Sequence, residues 1–316
     1  MRAALAKPLD WCSIQLARLS VHRGVGAVGQ VAQVESLLED PDFFGDSVVA
    51  PHDLRFTTKR AFQFTSSVVS PSKRNNTVHG RLFTTGKRWQ DKPVVILLHG
   101  WNMQAGYHVL FPHLARRLVK QGVNVAMFAL PYHTRRKPRG KKAIHNFLSG
   151  DLVHVVQAAH QSLADARALI AWLEEQGCPR IGLWGISLGA WLSGLLTCED
   201  ARIDCAVLMS PVSRMDRVIA ELDFCAPIRR SLGGARVRLD RLNLTNHQPK
   251  VAHNNILLIG SEHDLFAPIG TVEDLHRAWS GTELWRPRHG HISVLMSMPV
   301  MERTVGWIAQ KMQGEN

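Results

Sequence analysis

No run of about 18 uncharged apolar residues occurs in this 316-residue chain, so no membrane-spanning helix is expected. The first twenty residues also lack the continuous apolar stretch and small-residue cleavage site of a secretory signal. They carry Arg2, Lys7 and Arg18 against one acid, Asp10, which leaves an organellar presequence open beside the default expectation of a cytoplasmic protein. Cysteine is scarce. The five present (Cys12, Cys178, Cys198, Cys205 and Cys225) are odd in number, scattered and free of Cys-x-x-Cys spacing, which argues against a disulfide framework and a zinc ribbon. They are expected as reduced thiols. Neither His-x-x-x-His on an expected helix nor a Cys-His cluster is found, so no metal and no other cofactor is expected. The glycines from Gly24 to Gly29 spell a dinucleotide-binding pattern, but no strand leads into them and no βαβ unit follows.

A hydrophobic content of 45% is ample for a large core, and one α/β domain is the expected organisation. Residues 1–53 read as a helical extension with a short apolar stripe at Val31, Val34, Leu37 and Leu38, and residues 54–316 as the domain itself. From Leu54 an antiparallel hairpin opens the sheet, turning at Ser72 to Asn76. The uninterrupted apolar run from Val94 to Leu98 suits a strand covered on both faces. Helices and strands then alternate, with a long helix from Asp151 to Gln176 and buried strands at 180–184, 203–209 and 256–259. This pattern predicts a mostly parallel central sheet with helices on both faces. Loops after the strands' carboxyl ends gather at one edge, where ligands bind in such folds. Residues 211–250 form a long excursion between two strands and read as a small lid insertion, with Leu222, Phe224 and Ile228 able to touch an apolar ligand.

Gly185-Ile186-Ser187-Leu188-Gly189 sits between an apolar strand and a helix whose Leu188, Leu192 and Leu195 recur at helical spacing. A Gly-x-Ser-x-Gly run in that setting is a nucleophile elbow: the serine is forced into a strained conformation and its hydroxyl is exposed. A serine hydroxyl is a weak nucleophile at neutral pH, so it needs an imidazole to take its proton and a carboxylate to hold the imidazole's tautomer. Asp264 follows the strand 256–259, with Glu262 and Asp216 as alternative acids. Arg288-His289-Gly290-His291 follows Leu284-Trp285 and offers His291, with His289 as its rival.

The order Ser187, Asp264, His291, together with His99-Gly100 after an earlier strand, resembles the α/β-hydrolase superfamily over roughly residues 55–312. Within it the chain is most similar to the abhydrolase-domain and dienelactone-hydrolase-like serine hydrolases, although dienelactone hydrolases proper use a cysteine where Ser187 stands. The resemblance implies an α/β-hydrolase fold and a catalytic set of Ser187, Asp264 and His291. It further implies an oxyanion hole made by the amides of Trp101 and Leu188. Asn102 and Tyr107 then become candidates for the substrate pocket.

The net charge of +12 is focused. Residues 131–150 hold Arg135, Arg136, Lys137, Arg139, Lys141 and Lys142 and no acid, while residues 211–250 hold eight basic side chains against four acids. Such clusters are ordinarily solvated loops. Because both follow strand ends, Arg135 and Arg136 are expected at the cleft, favouring an ester or thioester that is anionic or lipid-like. Contact with a membrane surface stays open on the same ground, and no nucleic-acid partner is expected. Three functions are consistent with this sequence: a carboxylic-ester hydrolase, an acyltransferase using the same acyl-enzyme, and a non-enzymatic binding protein on a hydrolase scaffold.

Overall fold

The computed structural model describes residues 6–20, 29–139 and 147–314. The glycine pattern that starts at Gly24, and Lys141 and Lys142 of the first basic stretch, lie outside the described residues save for Gly29.

A nine-stranded sheet forms the centre, in the order β1-β2-β3-β5-β4-β6-β7-β8-β9. Arg55–Phe56 (β1), Ala61–Thr65 (β2) and Thr77–Phe83 (β3) pair antiparallel, and β3 runs antiparallel to Asn124–Phe128 (β5). From β5 onward, Val94–Leu98 (β4), Ile181–Ile186 (β6), Ile203–Met209 (β7), Ile256–Ile259 (β8) and Glu283–Trp285 (β9) are parallel. This is the mostly parallel sheet anticipated from the sequence, opened by the antiparallel hairpin read from about Leu54, whose paired strands here are β2 and β3.

The unbroken apolar run of β4 has a direct physical origin in its alternating side chains. Val94, Ile96 and Leu98 enter one core, with helix Leu152–Glu175 (α4) and helix Leu188–Glu199 (α5). Val95 and Leu97 enter the opposite core, with helix Phe111–Lys120 (α3) and the final helix Met298–Gln313, here α9. With both faces covered, neither set can be polar. Helix α4 is capped by Asp151, whose carboxylate accepts from the His154 N–H at 3.2 Å, and Gly177 at φ 90° ends it.

The chain runs from β4 to β5 on one side and then back across β4 to β6, so the direction of winding reverses beside β4. Loops at such a reversal splay apart and leave a crevice at the strands' carboxyl ends. Residues 211–250 arch over that crevice as helices Met215–Glu221 (α6) and Ala226–Leu232 (α7) with short 3₁₀ turns, the insertion anticipated as a lid. The return limb is pinned to α5: the Trp191 indole N–H donates to the Leu242 carbonyl at 2.8 Å. Helix Gln30–Glu39 (α2) lays Val34 and Leu38, one turn apart, into the core beside α4. Helix Ala6–Ser20 (α1) instead lies across the crevice, and its Ser13 and Ala17 line the cavity there. The helix Ile269–Ala278 (α8) covers the sheet between β8 and β9.

Candidate active site

Ser187 joins β6 to α5 at φ 54°, ψ −114°, a region that L-residues avoid. Close packing fixes this corner. A Cβ on Gly185 would lie 2.2 Å from the Gly189 carbonyl oxygen, and one on Gly189 would lie 2.1 Å from that of Leu98. The elbow therefore wedges between β4 and α5 only because both positions lack side chains. The Ser187 N–H donates to the Met209 carbonyl at 2.9 Å, which ties the strained residue to the neighbouring strand.

The sequence-predicted trio meets at this point. Ser187 Oγ lies 2.8 Å from His291 Nε2, and His291 Nδ1 lies 2.8 Å from Asp264 Oδ2 and 3.0 Å from Oδ1. An ionised carboxylate can only accept, so Nδ1 carries the proton and Nε2 is left to accept from the serine hydroxyl. Asp264 is itself fixed by the N–H groups of Phe266 and Ala267, at 2.8 and 2.7 Å. Burial works to lower the His291 pKa, but the charge and hydrogen bonds of Asp264 and the charge of Asp10 outweigh it, leaving the ring above the ordinary histidine value. None of the rivals joins this run: Glu262 pairs with Arg288, Asp216 pairs with Arg214, and His289 contributes its backbone carbonyl to the His263 N–H.

The loop after β4 is held by two histidines. The Leu130 N–H donates to His99 Nε2 at 3.0 Å, so the other ring nitrogen carries hydrogen and donates to the Gly100 carbonyl at 2.8 Å. Burial pushes His99 down to about 4, keeping it neutral. His133, which sequence reading missed, stacks edge-on against His99 at 4.8 Å and accepts from the Asn102 N–H at 3.2 Å. The Asn102 amide is thus occupied, while the amide of Leu188, in the first turn of α5, has no intrahelical acceptor. Asn102 itself sits at φ 56° and lines the cavity.

That cavity, ≈ 470 Å³, opens at Ser187 and His291. Its walls are aliphatic and aromatic: Trp101, Trp191, Met215, Ile219, Leu222 and Ile228 are representative. Apart from His291, no described side chain that can carry charge at neutral pH lines it. An aromatic chain closes over the site, running from Trp101 to Phe224 of the lid (6.1 Å), on to Phe266 (5.8 Å) and to the His291 ring (4.6 Å). Leu222, Phe224 and Ile228 thus occupy the lining role anticipated for them.

Two candidate substrate contacts are corrected. Arg136 is wholly buried: it pairs with Asp165 of α4 at 2.7 Å and donates to the carbonyls of Asn75 and Ala129, at 2.8 and 3.1 Å. A guanidinium so enclosed cannot meet a substrate. Tyr107 packs in the core beneath the sheet with its hydroxyl on the His79 carbonyl at 3.4 Å, and it does not line the cavity. Arg135 is exposed but likewise absent from the lining. The second basic stretch is largely internally engaged: Arg229 donates to the carbonyls of Ile219 and Leu222, and Arg238 pairs with Glu35 and Glu39 of α2. Among the described residues, charge density along the sequence therefore overstated the charge lining the cavity. Among the described residues there is no cluster of metal-ligating side chains, and no helix is long and apolar enough to cross a membrane.

Comparison with known proteins follows this geometry. A family model described as alpha/beta hydrolase domain containing 18 matches residues 47–214. An uncharacterized protein of Mycobacterium tuberculosis H37Rv is 27% identical over 270 residues, covering 81% of this chain and 61% of the relative, and its counterpart in strain CDC 1551 matches equally. The chain thus spans 61% of the length of these relatives. Among solved structures, an esterase of Pyrococcus furiosus superposes with TM-score 0.55 at 21% identity, covering 80% of this chain and 92% of that one. A cold-adapted esterase from an Arctic intertidal metagenomic library gives 0.52 at 18%, covering 83% and 98%. At these identities the likeness establishes a shared α/β-hydrolase fold.

Proposed function

The chain belongs to the alpha/beta hydrolase domain containing 18 family, and from that premise we propose that it is a serine hydrolase acting on carboxylic esters or thioesters with apolar acyl groups. The observation that carries this reading is the hydrogen-bonded run Ser187–His291–Asp264 at the mouth of a cavity whose described lining is apolar. In the proposed reaction His291 Nε2 takes the Ser187 proton as Oγ attacks the carbonyl carbon, and Asp264 stabilises the imidazolium that forms. The amides of Leu188 and Trp101 receive the oxyanion, each contributing about 3 kcal/mol. As the tetrahedral intermediate collapses, His291 returns the proton to the leaving alcohol or thiol and an acyl-Ser187 ester remains. Water, deprotonated by His291, then attacks that ester and releases the acid.

A fluorophosphonate probe is expected to label Ser187, located by mass spectrometry, with labelling lost in Ser187→Ala. An unlabelled folded protein would overturn the proposal. The cavity also sets a selectivity. Burying a carboxylate there without a partner costs several kcal/mol, so p-nitrophenyl esters of medium-chain acids should exceed succinyl-type esters by at least about 100-fold in kcat/KM. Equal turnover of the two would reject the apolar acyl site.

The pH dependence has a definite sign. His291 must be neutral to accept a proton, and its pKa lies above the ordinary value, about 6.5. Activity is therefore full above the raised pKa and falls as pH drops through it, placing the acidic limb of kcat/KM on the alkaline side of about 6.5. A limb below that value in a kcat/KM profile would contradict the assignment.

A further inference from the structure

Asp10 lies on α1, ahead of the sheet, in a segment to which the reaction above assigns nothing, yet its side chain is wholly buried against the catalytic loops. Its Oδ2 accepts from the His291 N–H at 2.7 Å and from the Leu265 N–H at 3.1 Å, and Oδ1 accepts from the Ile292 N–H at 3.0 Å. Leu265 directly follows Asp264. One carboxylate thus bridges the loop that carries the acid and the loop that carries the base. Gly290 explains how it fits: a Cβ there would lie 2.7 Å from Asp10 Oδ2, so the residue before His291 must be side-chain-free for the carboxylate to seat. Hydrogen bonds from N–H groups to an ionised carboxylate are short and roughly twice as strong as neutral ones, and three converge here.

We propose that Asp10 is a positioning residue for the reaction of Ser187, setting the separation and orientation of the His291 and Asp264 loops from outside the hydrolase sheet. The inference rests on the serine-hydrolase reading above. A displacement of about 1 Å in a reacting group can lower a rate by about 100-fold, and removal of this clamp frees both loops at once. The charged groups that face the His291 ring among the described residues are Asp264, on the loop after β8, and Asp10, on α1. Loss of the Asp10 charge therefore also removes part of what favours the protonated ring.

Asp10→Asn preserves volume but has one acceptor oxygen and presents an amide to N–H donors. With wild type and Asp10→Asn counted by fluorophosphonate active-site titration, kcat per labelled site on a p-nitrophenyl ester should fall about 10- to 100-fold with KM nearly unchanged. The acidic limb should move to lower pH. A purely structural role would instead reduce the labelled fraction and leave kcat per site and the limb unmoved, which would overturn the proposal.

Gly290→Ala supplies an independent route to the same displacement. It should reproduce the fall in kcat in the wild-type background and add little in an Asp10→Ala background, where the carboxylate is gone; additive losses in this double-mutant cycle would also overturn the clamp. A wild-type chain that fails to label overturns the serine-hydrolase reading and this role with it. A labelled wild type with indifferent variants overturns the positioning role alone.

Discussion

Replacing Ser187 by alanine is expected to lower kcat by about 10⁶-fold, and His291→Ala by about as much, because the nucleophile and its base act as one unit. The double variant should be no slower than either single one. Asp264→Asn is the more informative change. With the amide oxygen of an asparagine held by the Phe266 and Ala267 N–H groups, its NH2 faces His291 Nδ1 and donates, which makes Nδ1 the acceptor and moves the ring proton to Nε2, where it points at Ser187 Oγ. The ring is then held in the wrong tautomer with its position unchanged, and kcat should fall about 10⁴-fold. Long-time hydrolysis of a p-nitrophenyl ester, with circular dichroism to confirm folding, measures all four variants. A loss below tenfold in any folded single variant would remove that residue from the proposed chemistry.

The second large effect concerns stability. Arg136→Ala would leave the Asp165 carboxylate buried with the Ser66 hydroxyl, 2.6 Å away, as its remaining hydrogen-bond donor among the described residues. Breaking a buried pair from one side costs about 3–5 kcal/mol, and chemical denaturation should register that loss. Arg136→Met with Asp165→Leu, which removes both charges and keeps volume, should recover most of it. The contrast with a substrate contact is sharp: a binding arginine, once removed, would raise KM and leave the denaturation midpoint in place. That second pattern would reinstate the role the sequence suggested for Arg136.

These two cases also show what could be read in advance and what could not. Ser187 and Asp264 were legible because each follows a strand whose apolar run is unmistakable, and parallel strands deliver their following loops to one edge; His291 follows only the short strand Glu283–Trp285 and was read from its Gly-His context. The choice of His291 over His289 and of Asp264 over Glu262 followed motif context, and the hydrogen bonds single out the same members. Arg136 was misjudged because local charge density says nothing about where a guanidinium turns. Its partner, Asp165, lies 29 positions away on α4. Gln161 and Asp165 fall within a helix that shares one core with the sheet and packs on α2, so polar groups there need internal partners. His133 and Asp10 had no such mark. A histidine in a basic loop and an aspartate in a helical extension look like solvated residues until the tertiary structure closes on them.

The clamp made by Asp10 also bears on biosynthesis. Its bonds reach residues 255 to 282 positions ahead, so the clamp cannot close until the polypeptide near residue 292 has left the ribosome. Contacts of such long range form late, since the intervening loop must be closed first. A chain still short of that point carries the elbow serine without its proposed base and without the Asp10 latch, and is expected to show no hydrolysis.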